Sequence, residues 1–227
     1  MLVSEPVRAA TVAWKDLTTE VRTRANFNGI VFLAGTTLLL FGFALGPDTV
    51  TLRTAAAGIL WLTVLFSGVL AFNRSYALEL EDGALEQLLL YPGDRRSIFL
   101  GKAAANLVFV LLVELVLVPV AAVLYGLPLL ESAGALAAVF LLGTIGFVTL
   151  GTFYAAMASR VRAREVLLPL LLFPMLVPVL IAAVEATAVL LVGDPMGIAA
   201  QWLKLLAAFD VIFLAASWLA FDYVIED

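Results

Sequence analysis

Six stretches of the 227-residue chain are nearly unbroken runs of apolar residues, at about Phe27–Leu45, Leu52–Phe72, Ile98–Tyr125, Leu129–Ala158, Val166–Val192 and Ala199–Val224. Each reaches the roughly 20 helical residues needed to cross a hydrocarbon core. None alternates polar with apolar positions, as the strands of a membrane barrel would. The pattern predicts an all-α integral membrane protein of six transmembrane helices. The fourth and fifth runs exceed the minimum length, which predicts tilting or extension past the lipid.

Two stretches between the runs carry patterns of their own. Over residues 6–24, Val7, Ala10, Trp14, Leu17 and Val21 fall on one helical face, while Arg8, Lys15 and Arg22 recur every seven residues on another. Ser4 and Pro6 supply a cap and a first turn. An apolar stripe flanked by basic residues lies in the membrane interface, so this segment reads as an interfacial amphipathic helix that steadies the first span.

The second stretch, residues 73–97, joins spans two and three. Acids cluster at Glu79, Glu81, Asp82 and Glu86; Leu78, Leu85, Leu88 and Leu89 form an apolar strip at helical spacing. Gly83 interrupts the strip, and Tyr91-Pro92-Gly93 ends it with turn chemistry. A short acidic-apolar helix under the membrane is expected here. It serves either as a docking surface for a cytoplasmic partner or as a surface helix packed on its own bundle.

Charge then orients the chain. Eleven of the 13 basic residues fall in the N-terminal segment and in the connections between spans two and three and between four and five, leaving Arg53 and Lys204 for the other side. Basic connections stay in the cytoplasm, which predicts cytoplasmic termini. The opposite connections, Gly46–Thr51, Gly126–Pro128 and Gly193–Ile198, are too short to form a folded domain. Residues 1–227 therefore read as a single membrane domain, without an internal repeat. The N-terminal segment lacks the short apolar core of a secretory signal.

Composition narrows the chemistry. Hydrophobic residues make up 63% and charged residues 14%, against near half and about a quarter in soluble domains. A net charge of −5 offers no basic field for nucleic acid. The chain has no histidine and no cysteine, so the commonest general base, metal ligand and thiolate nucleophile are missing. Gly101-Lys102 lacks the glycine spacing and the following Ser or Thr of a phosphate loop. An aspartyl pair of Asp194 and Asp210 is set aside because Asp194 precedes Pro195 in a loop. No catalytic, metal or tightly held cofactor site is expected.

Charges within the spans are another matter. Glu114 lies in the third span, Glu185 late in the fifth and Asp210 in the sixth. A charge at bilayer depth must face protein, a wet cavity or a partner. These acids either line a substrate path or subunit seam, or are bonded to a neighbouring helix, with Glu185 near enough to an end to reach the interface. Pro169, Pro174 and Pro178 each remove a backbone donor from the fifth span, a hinge or a cavity wall by expectation.

The run LEDGALEQLLLYP (Leu80–Pro92) resembles the cytoplasmic element of ABC-2-type (type V) exporter permeases. GKAAANLVFVLLVELVLVP (Gly101–Pro119), LLGTIGFVTLGTFYAAM (Leu141–Met157), LPLLLFPMLVPVLIAAVEAT (Leu168–Thr187), FALGPD (Phe43–Asp48) and FDYVIED (Phe221–Asp227) resemble the cytochrome c maturation protein B family, CcmB. The resemblance covers essentially the whole chain. It implies a permease subunit of the haem-exporter ABC complex in the inner (cytoplasmic) membrane. That subunit would work with a CcmA-like ATPase, CcmC-like and CcmD-like membrane subunits and a haem chaperone, two permeases being expected per two ATPases. Glu81, Gly83, Leu85, Glu86, Leu88 and Pro92 would then form the ATPase-coupling element, with Glu79 and Asp82 beside them. Haem would be cargo of the complex, and without His or Cys it would be ligated by partners at least as readily as by this bundle. The alternatives are an ABC-2 exporter of lipid or drug and a non-transporting scaffold.

Overall fold

A computed structural model describes residues 5–81, 94–159, 164–194 and 196–226. Among the described residues seven α-helices follow one another: α1 (Glu5–Thr23), α2 (Ala25–Leu45), α3 (Thr49–Glu81), α4 (Arg96–Tyr125), α5 (Ala133–Ser159), α6 (Arg164–Val192) and α7 (Ala199–Glu226). A 3-10 turn at Leu129–Ser132 leads into α5. Six of the helices, α2 to α7, are long and apolar enough to cross a membrane. There are no strands among the described residues. In lipid only such closed backbone hydrogen bonding is tolerated, because no water is present to satisfy a free N–H or C=O.

Acidic side chains start several helices. Asp48 accepts from the Val50 and Thr51 amides and from the Thr51 hydroxyl at the start of α3. The Thr51 hydroxyl, and then the two amides, hold the Asp48 carboxyl below its ordinary value of 3.8. A lowered value means that the ionised cap is complete at neutral pH and is lost only as pH falls through it. Asp94 accepts from the Arg96 amide to open α4, and Asp194 accepts from the Ile198 and Ala199 amides to open α7. Between α1 and α2 the chain breaks at Arg24, in the left-handed region at φ 49°. There the Phe27 amide donates to Glu20 at 2.9 Å, covering the start of α2.

Two expectations are altered. The first residues of the 73–97 segment belong to α3, which continues without a break to Glu81, nothing before Gly83 supplying a breaker; the rest of the acidic-apolar helix expected there, residues 82–93, lies outside the described residues. And α1 seats against α4 through Ala9, Val12 and Asp16, whereas Val7 and Trp14 of the apolar stripe are exposed. A different edge of α1 makes the contact with α4.

Helix α5 is the centre of the bundle, packed on α3, α4, α6 and α7. Small residues admit large rings there. A Cβ on Gly143 would stand 2.4 Å from the Trp61 ring, one on Gly151 2.0 Å from Phe72, and one on Gly68 of α3 2.1 Å from Phe147. The two helices thus mesh ring over glycine in both directions, the close approach on which membrane helices rely when lipid supplies no hydrophobic drive. Side-chain bonds join further pairs: Asn106 donates to Thr152 at 3.0 Å, Trp61 to Thr187 at 3.0 Å and the Tyr125 hydroxyl to the Leu38 carbonyl at 2.7 Å.

Gly151→Ala should lower the thermal midpoint of the purified protein, by an overpacking cost of about 1–3 kcal/mol. Gly58→Ala has open space around it and should be neutral or raise the midpoint, since a helical glycine costs about 0.5–1 kcal/mol relative to alanine. Equal midpoints for the two variants would contradict the meshed packing.

Candidate functional site

Two regions concentrate polar chemistry, one at the end of the bundle that carries most of the basic residues and one at mid-depth.

At the basic end, Lys102 of α4 is fully buried. Its Nζ donates to Asp16 Oδ2 of α1 at 3.1 Å and to the Ser75 carbonyl of α3 at 3.3 Å, and lies 4.7 Å from the centre of the Tyr76 ring. Lys15 reaches the other Asp16 oxygen at 3.3 Å. A buried ammonium is tolerated only when paired and hydrogen-bonded, and here its partners come from two other helices, α1 and α3. Gly101 allows the approach, since a Cβ there would stand 2.6 Å from the Ala9 carbonyl. On the same side, Arg8 donates to the Asp94 carbonyl at 3.4 Å. Arg96 donates to Asp222 of α7 at 2.8 Å and lies over the Trp218 ring at 4.7 Å. That last pair is partly exposed and contributes at most about 1 kcal/mol.

Helix α1 therefore holds the chain that follows residues 82–93, at Asp94 and Lys102, and Lys102 in turn bonds Ser75 on the helix that precedes them. Of the residues singled out in this segment, Glu79 and Glu81 lie on the last turns of α3, with their side chains outside the described set. Asp82, Gly83, Leu85, Glu86, Leu88 and Pro92 lie outside the described residues.

At mid-depth, Glu114 of α4 is 3% exposed. The Thr144 hydroxyl of α5 donates to its Oε1 at 2.6 Å, and its Oε2 has no partner. Asp210 of α7 is 6% exposed, with neither oxygen hydrogen-bonded. A Cβ on Gly146 of α5 would stand 2.6 Å from Asp210 Oδ1, so only glycine admits the carboxyl. Thr144 and Gly146 are two residues apart, about 3 Å of helix rise, which puts the two acids at one depth against α5. They are not brought to one site. Glu114 opens into a cavity of about 340 Å³ between α4, the 3-10 turn and α5, walled by Val118, Pro119, Leu136 and Phe140.

Glu185 sits on the exposed side of α6 together with Pro174 and Pro178, while Pro169 is half-buried. The prolines do not wall the described cavity; Pro119 of α4 does. Helix α6 remains continuous through all three.

Sequence reasoning placed Lys102 only among the basic residues of a connection and missed Asp16, Ser75, Tyr76 and Thr144. A signal for Lys102 was present: it is followed by Ala103–Ala105 and Leu107, apolar company for a residue expected in water.

This architecture is that of a multi-pass membrane protein, with seven α-helices among the described residues, six of them long and apolar enough to span. Comparison with known proteins is specific. The profile of the CcmB protein family matches residues 7–226, and the chain belongs to the CcmB family. It is similar to heme exporter protein B of Pseudomonas aeruginosa, 32% identical over 80% of each chain. Against heme exporter protein B of Rhodobacter capsulatus it is 36% identical over 75% of this chain and 78% of the relative. For that of Paracoccus denitrificans the figures are 38%, 73% and 75%.

Asp16→Asn should leave Lys102 buried without its counter-charge and destabilise the protein by about 3 kcal/mol. Lys102→Gln should cost a similar amount, and the double variant less than the sum, by about 1–3 kcal/mol of coupling. Thermal melts of the four proteins check this; strictly additive losses would mean that the pair does not interact.

Proposed function

We propose that this chain is the permease subunit of an ATP-driven complex serving haem export in c-type cytochrome maturation. It passes motion from a separate ATPase at the cytoplasmic end to the middle of the membrane. The names of its relatives support the haem connection. The observation that carries the mechanical reading is the buried Lys102, which ties α1 and α3 to α4 on the flanks of residues 82–93. A partner pressing on Glu79, Glu81, Asp82 and Glu86, with Gly83, Leu85, Leu88 and Pro92 shaping the segment, pushes on three helices at once. Helix α4 then serves as the lever: Lys102 and Glu114 lie on one continuous helix, about 18 Å apart by its rise.

In this reading the ATP-binding partner is CcmA-like, CcmC-like and CcmD-like subunits and a haem chaperone complete the pathway, and two permease copies serve two ATPases. The protein lies in the inner membrane with both termini cytoplasmic, in keeping with the placement of eleven of the 13 basic residues. It performs no chemistry on haem. A chain without His or Cys offers no strong axial ligand, so iron is held by partner subunits while this one moves.

Charge reversal at Glu81 and Glu86 tests the coupling. The double variant should insert normally, lose co-purification of the ATPase and lose at least tenfold of haem-stainable cytochrome c. Retention of both would remove the coupling role. Topology has its own test, made simple by the absence of native cysteine. An impermeant maleimide should label Met196→Cys in intact cells, and Glu86→Cys and Arg162→Cys only after permeabilisation. Labelling of Glu86→Cys and Arg162→Cys from opposite sides would overturn the orientation.

A further inference from the structure

The groove beside Glu114 has the chemistry of a binding site for one kind of molecule. Its walls are apolar, and its rim includes Leu115, 71% exposed, and Leu130, 92% exposed. It therefore opens on the outer surface of the bundle, where lipid lies. At about 340 Å³ it falls within the range of small-molecule pockets, which combine apolar walls with a few placed polar groups. The polar groups here are acceptors. Glu114 lines the groove, and its buried Oε2 has no partner, its sister oxygen being taken by Thr144. One residue further on, the Leu115 carbonyl loses its helical donor because residue 119 is proline.

A carboxyl group left unpartnered at this depth is costly. Water could satisfy it only in a polar recess, and this one is lined by hydrocarbon. A ligand that brings a donor and a positive charge satisfies both acceptors and offsets the cost of burying the carboxylate. A ligand bearing carboxylates of its own, as haem does, would meet like charge. Asp210 provides the contrast. It is also buried and unpartnered, but it packs against Gly146 and does not line the groove.

We propose that this groove binds an apolar amine, a hydrophobic body with one N–H-bearing cationic head. The molecule enters sideways from the lipid, its head on Glu114 and its body along Val118, Leu136 and Phe140. The inference rests on the groove alone and stands or falls separately from the haem-export reading.

The test uses the full chain in phosphatidylcholine nanodiscs at neutral pH, titrated with a dansyl-labelled decylamine and with its decanol counterpart. The amine should bind saturably and at least tenfold more tightly than the alcohol. Glu114→Gln, nearly the same shape and still able to accept from Thr144, should bring the amine down to the level of the alcohol and leave the alcohol unchanged. Ala137→Trp should fill the groove and weaken both, and Asp210→Asn should change neither. Equal binding of amine and alcohol to the unaltered chain, absence of saturable amine binding, or amine binding indifferent to Glu114→Gln would each overturn the proposal. Loss of amine binding on Asp210→Asn with retention in Glu114→Gln would place the amine elsewhere and overturn it as well.

Discussion

Inside hydrocarbon, a polar group must find its partner within the protein, and this constraint orders nearly everything in the bundle. Backbone groups are consumed by the helices. Buried polar side chains reach across to neighbours: Asn106 to Thr152, Trp61 to Thr187 and Tyr125 to a carbonyl of α2. Each such bond is modest, on the order of 0.6 kcal/mol in membrane proteins. Together with ring-over-glycine meshing they nonetheless fix which helix lies beside which. Against that background Glu114 and Asp210 stand out, because three of their four carboxyl oxygens have no partner.

The two polar regions obey different rules. At the basic end the charges are matched: Lys102 with Asp16, Arg96 with Asp222. A matched pair with its cation fully buried, as Lys102 is, holds elements in register even when its net contribution to stability is small. At mid-depth the charges are unmatched, and a fold keeps such groups only where neighbours over-determine them. Helix α4 belongs to both regions, with Lys102 in the first and Glu114 in the second. The clamp and the deep carboxyl are therefore joined by unbroken helix, with no loop between them.

Much of this was legible in the residues. The six spans were readable to within a few positions, because a run of about 20 apolar residues has few other stable uses. The acids Glu114 and Asp210 were equally visible as charges in apolar company. What the pattern could not give was the partner. Periodicity placed Val7, Ala10 and Trp14 on a face of α1 but could not tell that Val12 and Asp16, on another edge, would meet α4. The end of α3 was misplaced because a polar run such as NRSY looks like a connection, although nothing in it breaks a helix before Gly83. Lys102 was hidden by the reasonable expectation that lysine beside a membrane is wet. Its counter-charge lies 86 positions away in sequence, beyond the reach of any local rule.

The first span is joined to the rest unlike any other. Helix α2 buries only Ile30, Ala34 and Leu38, a single narrow row at four-residue spacing, and its described side-chain bond to the other spans is the one from Tyr125 to the Leu38 carbonyl. At its foot the chain turns sharply at Arg24. A post seated along one line, with a bend below it, can lean at little cost while the interlocked pair α3 and α5 cannot slide past each other. Of the six crossings, the outermost is thus the one whose angle to the membrane is most cheaply changed.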